Sequence, residues 1–289
     1  MYSLENDLLK ATFKPRCGEL SSLINKATGI EHIWSANPTI WPWHAPILFP
    51  IVGSLKDDTL FAEGKSYFLS RHGFFRNSIP IVENHTERSI TFLLLSDAQT
   101  LEVYPYEFEC RVRFTLLDHS IKQEFLVKNT DSKRIYFAIG GHPAFTVPFT
   151  DSESYSDYYL EFERAERLDR SMLSTKGLFT DEIEPVLVSG NIIPLSYTLF
   201  NNDALVFKSI VSRSVTIRSK SHTASLKVEF KDFPYLGLWA KPNANFVCIE
   251  PWIGCADSEK GHVDIRNKEL VQDLLPGEDF LASFTISVI

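Results

Sequence analysis

Along most of the chain, apolar and polar residues alternate with a period of two. In "FECRVRFTLL" (Phe108–Leu117) every second residue through Leu116 is apolar, and the residues between are mostly charged or polar. Comparable runs are "SITFLLL" (Ser89–Leu95), "SIKQEFLVKN" (Ser120–Asn129), "RIYFAIGG" (Arg134–Gly141) and "DALVFKSI" (Asp203–Ile210). "SVTIRS" (Ser214–Ser219), "SLKVEF" (Ser225–Phe230) and "FLASFTISVI" (Phe280–Ile289) follow. Their richness in Val, Ile, Phe and Tyr marks them as strands. Leu117–Ser120 and Asn129–Ser132 supply turn chemistry between them. Helical periodicity is scarce. "NKELVQDLL" (Asn267–Leu275) predicts two helical turns after an Asn cap, ending before Pro276-Gly277. Asp151–Asp157 and Ala165–Leu187 read as loops. The expected fold class is therefore all-β, a large antiparallel sandwich with few short helices, in one domain spanning residues 1–289.

Length and charge narrow the picture. A chain of 289 residues buries a large core without a disulfide or metal staple. A net charge of −8 with scattered basic residues argues against a nucleic-acid surface, whereas small phosphorylated molecules stay in view. "SRSVTIRSK" (Ser212–Lys220) reads as the polar face of a strand. Cys17, Cys110, Cys248 and Cys255 lack paired metal-ligand spacing. Few cysteines, and an opening "MYSLENDLLKATF" that alternates like a strand without a basic or apolar leader pattern, suggest a reducing cytoplasm. No apolar run approaches the roughly 18–20 residues that span a bilayer, so no membrane partner is expected. The pattern does not fix an oligomeric state.

Three segments set a titratable side chain among aromatics, Gly and Pro. "FVCIEPWIG" (Phe246–Gly254) holds Glu250, a carboxylate where the pattern says core; unpaired, it would cost several kcal/mol or take up a proton. "AIGGHPAF" (Ala138–Phe145) holds His142. Unbroken alternation would put Tyr136, Ala138, Gly140 and His142 on one face, leaving empty volume beside the imidazole at Ala138 and Gly140. "SRHGFFRN" (Ser70–Asn77) holds His72 and Arg76. Each has a bland reading: Glu250 paired to an arginine, His142 bonded to a carbonyl, His72 in an exposed turn, Arg76 a surface cation. Asp203, after "LFNN", reads equally as a turn residue, and His44 reads as structural. No G-x-S-x-G, P-loop, dinucleotide fingerprint or H-E-x-x-H occurs, which leaves acid–base chemistry without a cofactor as the economical catalytic option.

In order, "APILFPIVGSLKDD" (Ala45–Asp58), "RHGFFR" (Arg71–Arg76), "GGHPAF" (Gly140–Phe145) and "NDALVF" (Asn202–Phe207) occur, then "SRSVTIRS" (Ser212–Ser219), "DFPYLGLW" (Asp232–Trp239) and "CIEPWIG" (Cys248–Gly254). This ordered set resembles the aldose 1-epimerase (mutarotase) family, most closely its LacX-type branch. The resemblance implies a galactose mutarotase-like β-supersandwich, no cofactor and a small sugar substrate. It implies Glu250 as catalytic base, His142 as general acid, and His72, Asp203 and, less directly, Arg76 as sugar contacts. Glu250 would then raise the pKa of His142, keep it protonated and give a bell-shaped rate profile. Galactose mutarotases place an arginine near the segment that here reads "PIVGSLKDD"; Ser54 stands there, with Lys56 the nearest cation. A lysine cannot form the bidentate contact, which points away from galactose itself. Trp43 and Trp239 would offer stacking surfaces. Two rival readings stay open, a non-catalytic sugar-binding module and a glycosidase or lyase using Glu250 with Asp203.

Overall fold

Strict alternation becomes strict burial. In the computed structural model, which describes residues 1–289, the strand Phe108–Leu116 buries every second side chain, and it pairs antiparallel with Ser120–Asn129 from Ile121↔Leu116 to Asn129↔Phe108. These two lie within a nine-stranded sheet. Its order runs Ile192–Pro194, Tyr158–Phe162, Ser214–Ser219, Ser225–Glu229, Asp279–Val288, Ser120–Asn129, Phe108–Leu116, Ser89–Leu95 and Ile81–His85. A second sheet runs Phe179–Leu187, Leu168–Leu173, Leu205–Phe207, Tyr235–Trp239, Phe246–Ile253, Ile139–Gly141 and Ile47–Leu48, with Ala144–Thr146 also paired to Phe246–Ile253. All named pairings are antiparallel. The fold class read from the alternation holds.

The two sheets pack against each other. Phe162 of the first meets Phe207 of the second with ring centroids 6.4 Å apart. Gly141 of the second sheet lies directly against Phe284 of the first, so close that a Cβ there would sit 2.7 Å from the Phe284 ring. One apolar cluster of 69 buried residues draws on both sheets and on the N-terminal strands.

Phe246–Ile253 is buried at all eight positions, because it is covered on both faces. Val247 and Ile249 join the large core, whereas Glu250 and Trp252 face a cavity on the far side. That accounts for a polar residue in an apolar run: the second face meets a lined hollow instead of solvent. Gly237 is the cross-strand partner of Glu250, and Gly140 is that of Trp252. The space at both glycines is taken by the Trp252 ring. The volume expected beside the His142 imidazole at Gly140 is therefore filled by indole.

Three further expectations are corrected. Asn267–Leu275 forms no α-helix. A 3-10 turn at Ile265–Asn267 leads to Leu270 at φ +55°, and Gln272–Leu274 pairs with Ile135–Phe137. Lys268 binds Asp257, while Glu269 binds Lys208 and Tyr235, and these tertiary partners outweigh the weak propensity of a two-turn segment. The α-helix is instead Ala98–Val103, with an Asp97/Thr100 capping box. Ala165–Leu187 is largely the hairpin Leu168–Leu173/Phe179–Leu187, whose two register shifts and exposed edge disguise its alternation. Finally, "RIYFAIGG" is split, with Ile135–Phe137 and Ile139–Gly141 in different sheets, and "DALVFKSI" is a strand only at Leu205–Phe207.

Gly141→Ala is expected to destabilise the chain by about 1–3 kcal/mol, because Phe284 is itself hemmed in by Phe125 and Phe233 and cannot retreat. Chemical denaturation would check this; an unchanged midpoint would contradict the tight sheet-to-sheet contact.

Candidate active site

Glu250, His142, His72, Asp203 and Arg76 all line one cavity of about 680 Å³. Sequence positions from 72 to 250 thus meet in one place. Each is delivered by a different device. Glu250 rides the doubly covered strand. His142 follows Ile139–Gly141, where Pro143 ends the ladder. His72 sits at φ +67° in a turn whose next residue, Gly73, lies against the Phe49 carbonyl with no room for a Cβ. Asp203 also has positive φ, at +67°, and its carboxylate accepts from the Ala204 N–H at 2.8 Å.

His142 Nε2 lies 3.1 Å from Glu250 Oε2. The angle is wrong for a hydrogen bond, and Glu250 Oε2 and His142 Nδ1 are both buried without a hydrogen-bonding partner in the protein. Arg76 Nε, Ser174 Oγ and Trp252 Nε1 share that condition and line the same cavity. Buried polar groups are normally satisfied, so a cluster of unsatisfied ones around a hollow is the mark of a polar ligand site.

The imidazole of His142 is walled by aromatics. Trp41 stacks on it at 5.1 Å, and Trp239 and His72 meet it edge-on at 5.9 and 5.6 Å. His72 Nδ1 accepts the Gly53 N–H at 3.1 Å, and the His72 N–H donates back to the Gly53 carbonyl at 2.9 Å. Because Nδ1 accepts, the neutral ring carries its proton on Nε2 as a donor.

Burial dominates the electrostatics. It pushes His142 down to about 3, helped by the positive charges of Arg76 and Arg71. It pushes Glu250 well above the usual carboxylate range, with Asp203 adding to the rise and Arg71 opposing it. The expectation that Glu250 would raise the pKa of His142 is thus overturned. Loss of hydration outweighs the neighbouring carboxylate, and the empty site favours both groups neutral. His142, Cys248 and Glu250 have ligand atoms within 4.8 Å of one another. A metal ion there would have to displace protons that burial holds on both Cys248 and Glu250, and Cys248 does not line the cavity.

A model of the family described as aldose 1-epimerase matches residues 1–260. The chain belongs to that family. Its relatives include the chromosomal protein LacX of Lactococcus lactis subsp. lactis, 38% identical over 99% of this chain and 98% of the relative. A galactose mutarotase-related enzyme from Lactobacillus acidophilus superposes with a TM-score of 0.95 at 35% identity, covering 100% of this chain and 97% of that one. A galactose mutarotase-like protein from Lactobacillus casei gives 0.94 at 31% identity, covering both chains fully. Family and fold together support a mutarotase-like, sugar-binding function.

Within this aldose 1-epimerase family member, two site expectations move. Lys56 is not the cation nearest the cavity: its Nζ donates to the Glu259 carbonyl, 2.7 Å away, and it does not line the hollow. Arg71 does, with its Nε 2.7 Å from Ser54 Oγ. Ser54, the departure from the galactose mutarotase pattern, thus holds an arginine from elsewhere in the chain. Trp43 is also outside the lining, packed under Arg16 and Arg76, and Trp41 takes the aromatic place beside Trp239. Arg71, Trp41 and Ser174 were not singled out beforehand. Arg71 and Trp41 adjoin residues that were, but only the turns of the chain aim them inward. His44 is indeed structural, 3.3 Å from Glu19 and away from the cavity. No helix is long and apolar enough to cross a membrane.

The Glu250 shift makes a stability statement. The unfolded chain loses that proton above the ordinary value near 4.5, while the folded chain keeps it, so stability falls as pH rises from there. Glu250→Gln is therefore expected to raise Tm by about 2–4 °C at pH 7, with the gain vanishing near pH 4. Calorimetry across that range checks it; an unchanged or lower Tm at pH 7 would contradict the raised pKa.

Proposed function

We propose that the protein is an aldose 1-epimerase that interconverts the α and β anomers of an aldose or aldose derivative. The observation that carries this reading is the 3.1 Å approach of His142 Nε2 to Glu250 Oε2, misaligned for each other and open to a third partner. The C1 hydroxyl and ring oxygen of an aldose sit on the same carbon, so a donor and an acceptor this close each reach one of them. Ionised Glu250 takes the C1 hydroxyl proton, protonated His142 gives one to the ring oxygen, and the C1–O5 bond breaks. The open aldehyde turns about C1–C2, and reclosure reverses the transfers.

Proton count makes the site suited to this cycle. Glu250⁻/His142⁺ and Glu250-H/neutral His142 hold the same number of protons. Ring opening converts the first into the second, which is the form burial favours. Sugar hydroxyls and the nearby Arg71 supply the polarity that lets Glu250 hold charge when substrate is bound. His72 Nε2–H and the Asp203 carboxylate serve as donor and acceptor for sugar hydroxyls, and Trp41 and Trp239 present apolar faces to ring C–H groups. Arg76 is a further contact.

Glu250→Gln and His142→Asn are each expected to slow catalysed anomer exchange by about 10²–10⁴-fold. Exchange NMR over a panel of aldoses reads this directly. Sugar binding without accelerated exchange in the unmodified protein would mean a binding module instead.

The profile of kcat/KM against pH is expected to be bell-shaped but broad. Its acid limb lies near 3, where the pair gains a second proton on His142, and its alkaline limb lies above the usual carboxylate range, where Glu250 loses the only one. An acid limb at the ordinary histidine value near 6.5 would show that the two groups do not act as one unit.

A further inference from the structure

The charge of the cavity does not match the charge of the chain. The protein carries −8 overall, yet the cavity lining holds three cations, Arg71, Arg76 and Lys241, against two carboxylates, Asp203 and Glu250. None of the three cations is in an ion pair, although elsewhere buried cations are: Arg170 binds Glu184, and Lys268 binds Asp257. Arg76 donates no hydrogen bond within the protein and its Nε is fully enclosed; Arg71 donates one, to the neutral Ser54 hydroxyl. A guanidinium offers five N–H donors in a planar fork, and leaving most of them unmatched in a half-buried wall is costly.

The same wall is shaped around these groups. Gly177, at φ +70°, lies against the Arg71 guanidinium with no room for a Cβ, and Ser174 in the same loop points a buried, unpartnered hydroxyl into the cavity. Arg71 and Arg76 share one wall, and burial, followed by the like charge of Arg71, disfavours the charged form of Arg76. Neutral hydroxyls would not relieve that repulsion; an anion would.

We infer that Arg71, Arg76 and Ser174, with Lys241 at the mouth, form a subsite for an anionic substituent on the sugar, a phosphate or a carboxylate. This inference rests on the epimerase reading for the position of that substituent. An aldose esterified at C1 has no free anomeric hydroxyl to deprotonate, so the anionic group is carried elsewhere, as in a hexose 6-phosphate or a hexuronate.

The test compares glucose and galactose with their 6-phosphates and their uronic acids, by anomer-exchange NMR and, separately, by calorimetric titration. One anionic series is expected to exceed its neutral parent in kcat/KM by about tenfold or more, the gain of one charge-assisted contact, and the better series names the substituent. That ratio should collapse in Arg71→Gln and Arg76→Gln and recover in part in Arg76→Lys, which keeps the charge and loses the fork. It should also fall with rising salt. Equal kcat/KM for neutral and anionic sugars, or a ratio unmoved by both Gln variants, overturns the inference while leaving the epimerase reading intact. Arginine-dependent binding of an anionic sugar without exchange would uphold the subsite and sink the epimerase reading instead.

Discussion

Everything in this site depends on excluding water from one carboxyl and one imidazole held 3.1 Å apart. In solution the pair would be an ordinary ion pair with little consequence. Inside the sandwich, loss of hydration penalises each charge by more than the partner returns, so the neutral forms gain. In the proposed cycle, substrate brings the ionised pair into play and ring opening returns the proton to Glu250, the form that burial favours. The aromatic walls, the covered strand and the clamped His72 turn all serve that exclusion.

The architecture makes such a burial affordable by giving Phe246–Ile253 two different faces. One face is fixed in the main core by Val247 and Ile249, so the strand cannot shift to relieve Glu250. The other looks into the cavity. Trp252, seated over Gly140 and Gly237, forms the floor beside Glu250 and locks the register in which Glu250 points at His142. A side chain at either glycine would compete with the indole for one space, which couples backbone composition to the orientation of the carboxylate.

The cations of the cavity belong to the same economy of solvation. Arg71 opposes the rise in the Glu250 pKa and helps lower that of His142, so it biases the shared proton as well as offering donors to a ligand. Its position depends on Ser54 and on the bare Cα of Gly177. In the proposed reading, substrate recognition and proton balance are thus linked through one guanidinium.

Much of this was readable in order along the chain. Period-two alternation is a local property, and strands such as Ser89–Leu95, Ser120–Asn129 and Ser214–Ser219 appear where it puts them. The oddity of Glu250, His142 and His72 was legible for the same reason: a titratable group among aromatics, Gly and Pro violates a local pattern. Local pattern failed where tertiary pairing decides. Asn267–Leu275 has helical spacing, but its backbone finds Ile135–Phe137; the hairpin Leu168–Leu173/Phe179–Leu187 hides behind bulges and an exposed edge. The partners of a side chain were equally out of reach. That Arg71 would stand on Ser54, that Trp41 and not Trp43 would face the cavity, and that burial would lower the His142 pKa all depend on which distant residues surround a group. The sequence by itself determined the strands and the residue types of the site, because these follow from neighbours two residues apart. Only the folded chain decided distances, solvation and charge, because those belong to space and not to order.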